Sequence, residues 1–511
     1  MSRKWLIAIA VAVGALLEII DTSIVNVALT DMQNALGATL SQITWVVSSY
    51  VVANVIILPL TAWLGDRFGK KRYFVFSLIG FTVASVLCGV ATSLPMLIVA
   101  RVLQGLGGGG LLAKAQAILY ETFPREEQPV AQGFFGAIVI AGPAIGPTLG
   151  GWIVTNIDWR WIFFINVPVG IAAVIMCISF LPADIAEERE TGKVDWAGIG
   201  LLAVGLGCLQ TVLEEGHEDD WFESRFIIAM LAIAVVGLVA FVWRELTAEK
   251  PVVDLRVLRY RSLWAGSLLS VVVGMGLYGA LFAIPIFTQS ILGLTPEQTG
   301  WLLLPGAVAS AVTMVLASRL ARTWDPRAMI VAGAGVLLVA LWMLMQLTSH
   351  TGADDFFWPL IIRGAGTVLM FLPLNLATIG PIPKRDISKA TGFFSLTRQL
   401  GGSVGVALLA TVLADRETFH HTILIEKLVA NDPNVLERVA TLQHGLVARG
   451  YDVASAHSGA LRLLAGSVDV QAAVQSFNDT FWLTALLFIV SLPLVLLLGK
   501  RSGGAEAPAG H

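Results

Sequence analysis

Glu18 and Asp21 stand three residues apart inside an apolar run near the N-terminus, a spacing that puts both carboxylates on one face of a helix. A charge held at mid-bilayer costs about 2.5–3.5 kcal/mol even on a lenient insertion scale, and such residues commonly mark ion or proton pathways. Counted from the ends of their apolar runs at ~1.5 Å per residue, Asp21 lies roughly 13 Å deep and Arg101 about 10 Å deep from the same side, so the two can meet. A carboxylate held charged by a neighbouring cation, yet short of water, suits proton uptake and release. Asp21, Arg101 and Glu18 are therefore the candidate proton-coupling residues, and a purely structural buried ion pair is the competing reading.

Arg363 and Arg398 are two further intramembrane cations with no membrane acid near them in sequence. With Asn26 and Gln104 they are candidates for lining a substrate cavity; pairing with backbone carbonyls is the alternative, and binding of an anionic substrate the weaker reading. Lys114 is expected only to snorkel toward an aqueous face. The turn LGDRFGKKR (64–72) sets Asp66, Arg67 and Gly69 in a tight basic loop. Anchoring explains the basic residues; the acid suits a latch that holds a facing helix end in one conformation and frees it in another.

Other chemistries lack support. GLGGGG (105–110) fits a dinucleotide-type pattern formally but follows a membrane arginine rather than a strand. No GK[ST] phosphate loop occurs, so ATP is not the evident energy source, and a proton gradient is the expected one because Asp21 and Arg101 suit proton coupling. His420, His421, His444 and His457 lack metal-ligand spacing, so no metal site is expected. No nucleophile–base set is present, and the expectation is no enzymatic activity, no cofactor and no nucleic-acid partner.

The elements that must carry these residues follow from composition. Of 511 residues 56% are hydrophobic and 14% charged, against about 45–50% and about 25% in soluble domains, so the lipid bilayer is the chain's solvent. Cys88, Cys177 and Cys208 fall in apolar runs as small fillers. Fourteen runs are long enough to span a bilayer, the first read as a retained helix because Glu18 and Asp21 interrupt it and no cleavage site follows. Basic residues, among them Arg67, Lys70, Lys71, Arg189, Lys193, Arg319, Lys384, Lys500 and Arg501, collect in the joins after even-numbered spans and at the termini. Both termini are then cytoplasmic. The long outer join 414–476 has helical apolar spacing and is expected to form a small helical hairpin off the membrane.

AQGFFGAIVIAGPAIG (131–146) and ATGFFSLTRQLGGSVG (390–405) match at one constant offset, as do QITW (42–45) and QTGW (298–301), while LIVAR (97–101) echoes LIIR (360–363). Spans one to six thus repeat as nine to fourteen around an inserted pair. The reading is an all-α integral membrane protein with fourteen helices arranged 6+2+6. Its divisions are an N-terminal bundle (1–181), the inserted pair with its loops (182–250), a C-terminal bundle (251–499) that includes the outer loop, and a cytoplasmic tail (500–511). Repeated halves around a midplane site are a transporter plan. In GFFGAIVIAGPAIGPTLGG (133–151), Gly142, Gly146 and Gly150 line a groove without side chains, into which a second helix can pack, and Pro143 and Pro147 break the hydrogen-bond ladder.

Taken together, these motifs resemble the major facilitator superfamily, and within it the fourteen-helix EmrB/QacA-type drug/proton antiporters. GFFGAIVIAGPAIGPTLGG resembles the antiporter motif, DTSIVNVAL (21–29) the first-helix motif, LIVARVLQGLGGG (97–109) the fourth-helix motif and LGDRFGKK the loop motif. WRWIFFINVPVG (159–170), VDWAG (194–198), EEGHEDDWF (214–222) and PVVDLRVLRYRS (251–262) follow in the order of the EmrB branch. The resemblance implies that Asp21 is the coupling acid, Arg101 its tuning partner, and Asp66 and Arg67 the latch. It makes Gly133, Gly142, Gly146, Pro147, Gly150 and Gly151 the antiporter motif that sets exchange rather than leak. Ala62, Thr30 and Glu18 depart from the family pattern, and Glu18 adds a carboxylate the family does not predict. The implied function is proton-coupled export of amphiphilic drugs across a bacterial inner membrane, with antibiotic resistance, a periplasmic adaptor protein and an outer-membrane channel as tripartite partners. Export of an endogenous fatty acid, siderophore or other metabolite is the alternative, and a non-transporting scaffold or sensor the lesser one.

Overall fold

The computed structural model describes residues 2–184, 194–428 and 432–498; the basic residues Arg189, Lys193, Lys500 and Arg501 and the tail 500–511 lie outside them. Within them are fourteen helices long and apolar enough to cross a membrane. Spans one to six are Arg3–Val27, Ser41–Phe68, Lys70–Gly89, Leu94–Thr122, Gln128–Asn156 and Trp161–Phe180. Spans seven and eight are Trp196–Glu215 and Arg225–Thr247. Spans nine to fourteen are Arg261–Ser290, Pro296–Leu320, Pro326–Leu344, Ala353–Ile379, Lys384–Glu426 and Val453–Leu497.

Hydrogen bonds gather the start of span one, the end of span fourteen and the basic loops at one end of the bundle. Lys4 pairs with Glu127, Arg261 Nε donates to the Leu497 carbonyl at 3.1 Å, and Lys384 Nζ donates to the Glu121 carbonyl at 3.5 Å. The outward faces of the spans stay apolar, as at Val99, Ile175, Val236, Val315 and Val490, which are all exposed and belong in lipid.

Glycines set which helices touch. A methyl at Gly150 would come 2.7 Å from the Ile24 side chain, and one at Gly146 3.0 Å from the Ile24 nitrogen. The groove of span five therefore receives span one, backbone to backbone. The repeat shows the same pairing: a methyl at Gly401 would meet Val271 Cα at 2.6 Å and one at Gly405 Met275 Cα at 2.5 Å, so span thirteen receives span nine. Gly133 and Gly151 face the other way, toward Ser318 and Glu297 of span ten. Spans five and ten thus join the halves along their length, and Pro143 and Pro147 lie inside the unbroken helix of span five.

Spans thirteen and fourteen do not end at the membrane surface. Their helices run uninterrupted over Ile387–Glu426 and Val453–Ser491, 40 and 39 residues, about 60 Å each against a hydrocarbon core of about 30 Å. The expected hairpin is therefore a continuation of two membrane helices into a stalk, with a short helix Pro433–Val447 beside it. No proline or glycine stands between the membrane part of span thirteen and Glu426 to stop it. Asp479 ties the arms together, accepting from Arg416 Nε at 2.5 Å and bonded to His420 Nε2 at 2.7 Å.

Candidate functional site

Five spans of the N-terminal half converge on Asp21, which is fully buried. Its Oδ2 accepts from Arg101 Nη1 at 2.5 Å, and its Oδ1 from Gln104 Nε2 at 2.9 Å and Asn166 Nδ2 at 3.0 Å. Arg101 is 1% exposed. Its Nε donates to the Val46 carbonyl at 2.9 Å, its Nη1 also reaches Gln104 Oε1 at 2.6 Å, and its plane lies 4.2 Å from the Tyr50 ring centre. Ser85 completes the set, accepting from Gln104 and Asn166 and donating to the Phe163 carbonyl at 3.0 Å. A desolvated ion pair survives only when its remaining lone pairs and protons are satisfied, and here the surrounding amides and hydroxyl do so.

Glu18, one helical turn away, has a different setting. Its Oε1 accepts from Asn54 Nδ2 at 2.7 Å and its Oε2 from the Leu112 backbone N–H at 2.8 Å. That N–H is available because span four is broken. Its first helix ends at Gly108, its second begins at Leu111, and Gly110 between them has φ +86°, a conformation natural to glycine. The second helix consequently presents free N–H groups and a positive dipole end to Glu18, as discontinuous helices do in transporter sites. The run GLGGGG thus acquires a role that no nucleotide pattern supplied.

Glu18 borders a cavity of about 110 Å³ between the halves. Thr22, Tyr50 and Asn54 line it from the N-terminal half, and Tyr278, Arg363, Phe371, Arg398 and Gln399 from the C-terminal half. Arg363 and Arg398 therefore lie where a cavity role needs them. Two other assignments require correction. Gln104 does not line this cavity; its amide is consumed by Asp21, Arg101 and Ser85. Asn26 lies one turn beyond Thr22 on the same helix face, exposed outside the cavity lining, with its amide directed at the Thr22 carbonyl. Asp21 is absent from the cavity lining, so the two carboxylates, three residues apart on one helix, have separate surroundings.

The basic end is closed under this cavity. Gln116 Nε2 donates to Asn375 Oδ1 at 2.6 Å and Lys114 Nζ to Ser388 Oγ at 3.1 Å, both across the halves. Lys114 is buried in this seal instead of snorkelling to water. In the adjacent loop, Gly69 at φ +95° lets Asp184 cap span three through the Lys71 and Arg72 N–H groups at 2.8 and 3.1 Å. Asp66 shares a cavity wall with Lys250, Asp254 and Lys389 near the start of span thirteen, and Arg67 lies over the Trp63 ring. Among the described residues no cluster of three His, Cys, Asp or Glu could hold a metal.

Asn54, Ser85, Asn166, Tyr278 and Gln399 are site residues that sequence reasoning passed over. Asn166 and Gln399 carried a signal, standing within WRWIFFINVPVG and within the repeat 390–405, but neither was given a role.

Known proteins agree with this architecture. The Major Facilitator Superfamily profile matches residues 11–406. The multidrug export protein EmrB of Escherichia coli (strain K12) is 33% identical over 509 residues, covering 98% of this chain and 97% of that protein. The fatty acid resistance protein FarB of Neisseria gonorrhoeae is 31% identical over 504 residues, at 98% and 97% coverage. Among solved structures, the proton:xylose symporter XylE superposes with a TM-score of 0.60 at 14% identity, covering 95% of each chain. With its fourteen spans, repeated halves and matched profile, this chain belongs to the major facilitator superfamily of membrane transporters.

Proposed function

We propose that the protein is a proton-coupled antiporter that exports amphiphilic molecules across a bacterial inner membrane by alternating access, with both termini cytoplasmic. The observation that carries this reading is the placement of two carboxylates on one turn of span one. Asp21 is sealed behind the cavity on Arg101, and Glu18 faces the cavity on the broken helix of span four. The relatives named as multidrug exporters support the cargo class. Asp21 carries the coupling proton: protonation removes the charge that holds Arg101 and so weakens the hold of span one on the first half of span four. Inward proton movement supplies about 2.3 kcal/mol per 100 mV per charge before any pH difference.

By the positive-inside rule the closed, basic end is cytoplasmic, so the conformation described is one closed to the cytoplasm. At about 110 Å³ the cavity is smaller than the ~300–1,000 Å³ of small-molecule sites, and loading requires the halves to separate at the basic end. The stalk of spans thirteen and fourteen would then stand in the periplasm, placed to meet an adaptor protein and outer-membrane channel. FarB, named for fatty acid resistance, favours a second reading in which the cargo is an endogenous fatty acid or another metabolite.

The test is a proteoliposome assay with an imposed pH gradient and a panel of cationic, neutral and anionic amphiphiles. Wild-type protein should move cargo against proton flow and Asp21→Asn should not, at equal insertion. Gradient-driven transport by Asp21→Asn would remove Asp21 from the mechanism.

A further inference from the structure

The repeat places Arg363 of span twelve where span four has Arg101, yet the two arginines have opposite fates. Arg101 is neutralised by Asp21. Arg363 makes no ion pair among the described residues, and its Nε is buried without a hydrogen-bond partner. Arg398, one span on, is 4% exposed. It too forms no ion pair there, and its Nη1 is buried and unpartnered. Its guanidinium rests 5.3 Å from the ring centre of Phe371 and 5.7 Å from that of Phe394, contacts that hold a cation without neutralising it.

Both arginines line the cavity that Glu18 faces, and Glu18 is the one carboxylate among the lining residues. With Glu18 ionised the lining carries two positive charges against one negative, and with Glu18 protonated two against none. A buried guanidinium with unused donors has a large unmet demand for an acceptor, and its planar fork matches a carboxylate. The remaining wall is largely apolar, including Val139, Ile140, Leu277, Leu303 and Phe371.

We infer that Arg363 and Arg398 form a head-group subsite for the carboxylate or equivalent anion of an amphiphilic cargo, whose apolar body lies along the facing wall. This rests on the reading of the cavity as the transport site. It adds a selection rule to that reading. Anionic cargo is held by the C-terminal half, and the ionised Glu18 of the N-terminal half opposes it while favouring a cationic cargo. The sign of the link between cavity protonation and binding therefore depends on the cargo's charge. Exclusion between an anionic cargo and the coupling proton is then set by the Asp21–Arg101 pair behind the cavity and not by Glu18.

The experiment is binding to the full chain in nanodiscs of three soluble amphiphiles of similar body, naphthylacetate, naphthylethanol and naphthylethylammonium. Wild-type protein should prefer the carboxylate over the alcohol. Arg398→Gln and Arg363→Gln should each reduce that preference at least fivefold, and Arg398→Lys, which keeps the charge, should retain part of it. Glu18→Gln should preserve or raise carboxylate affinity while lowering that of the ammonium compound. Equal binding of carboxylate and alcohol to wild type, or an unchanged preference in both glutamine variants, would overturn the subsite. Wild-type protein that binds none of the three would sink the cavity reading and this inference with it, whereas binding of the alcohol alone removes only the subsite.

Discussion

Glu18 Oε2 accepts the Leu112 backbone N–H at 2.8 Å, so the carboxylate that faces the cavity is bonded to the point where span four unwinds. A change of charge on Glu18 alters the hold of span one on the second half of span four, and that half carries Lys114 and Gln116, two residues of the seal at the basic end. Cavity and seal are thus linked through a single short helix.

That link sets an expectation for Gly110→Ala. The residue sits at φ +86°, where a side chain costs roughly 1–2 kcal/mol, and the added methyl would press on Thr61. The variant should lose about that much stability in a thermal unfolding assay, and its transport should fall further than its folded fraction. Full transport at the reduced stability would show that the break in span four is only a packing feature.

Within the buried pair, the two partners should differ when removed singly. Asp21→Asn keeps an acceptor for Gln104 or Asn166 and leaves Arg101 bonded to Val46 and Gln104. Arg101→Leu strands a carboxylate whose remaining partners are neutral amides, and breaking a buried pair this way costs about 3–5 kcal/mol. Detergent-solubilised Arg101→Leu should therefore unfold at a clearly lower temperature than Asp21→Asn, although both should fail in gradient-driven transport. Equal melting temperatures would mean that stranding Arg101 costs as much as stranding Asp21, and that the bonds of Arg101 to Val46 and Gln104 do not relieve it.

Span five offers a pair of substitutions with contrasting outcomes. Gly146→Ala drives a methyl onto Ser23 and the Ile24 nitrogen, and overpacking of this kind costs typically 1–3 kcal/mol, so expression and stability should fall. Pro147→Ala adds a backbone N–H in a continuous helix without such a collision. It should leave stability within about 1 kcal/mol and change proton leak or coupling. Measured proton flux without cargo separates the two, and an unfolded Pro147→Ala protein with no transport-specific defect would reduce the motif to helix packing.

The seal can be tested from either side of the membrane. Gln116→Leu removes the 2.6 Å bond to Asn375 and leaves that amide without its partner across the seam, so the closed basic end should open more often. A cysteine at Thr22, which lines the cavity, should then react faster with a membrane-impermeant thiol reagent from the basic-loop side and more slowly from the other. Unchanged rates on both sides would mean that the seal is carried by other contacts, such as Lys114 on Ser388.

Fourteen spans and their repetition were legible because a bilayer demands about 20 apolar residues per crossing and an internal copy preserves glycine spacing. The Asp21–Arg101 contact was legible from depth alone, since two charges at similar depth in apolar helices have few other partners. What escaped has a common cause. Glu18 is held by a backbone N–H, which no residue type announces, and it is exposed by a glycine run that reads equally well as close packing. Gln104 suits a cavity by composition, but its place three residues after Arg101 turns it toward the buried pair. Asn26 shares the face of Glu18 and Thr22, yet it lies a turn past the cavity, a distance that periodicity cannot bound. Hydropathy marks where lipid ends and not where a helix ends, which is why the stalk looked like a separate hairpin.

The unbroken helix of span thirteen makes the interior of the protein readable at its far end. One rod carries Ser388 in the seal, Arg398 and Gln399 at the cavity, and Arg416 in the stalk. About 60 Å long and continuous from Ile387 to Glu426, it would act in the proposed alternating-access cycle as a lever pivoting near its packed middle. A tilt of about 10° there displaces each end by roughly 5 Å, on the scale of helix shifts in switching proteins. In that cycle, the far end of the stalk would report which way the cavity faces with no second signal required.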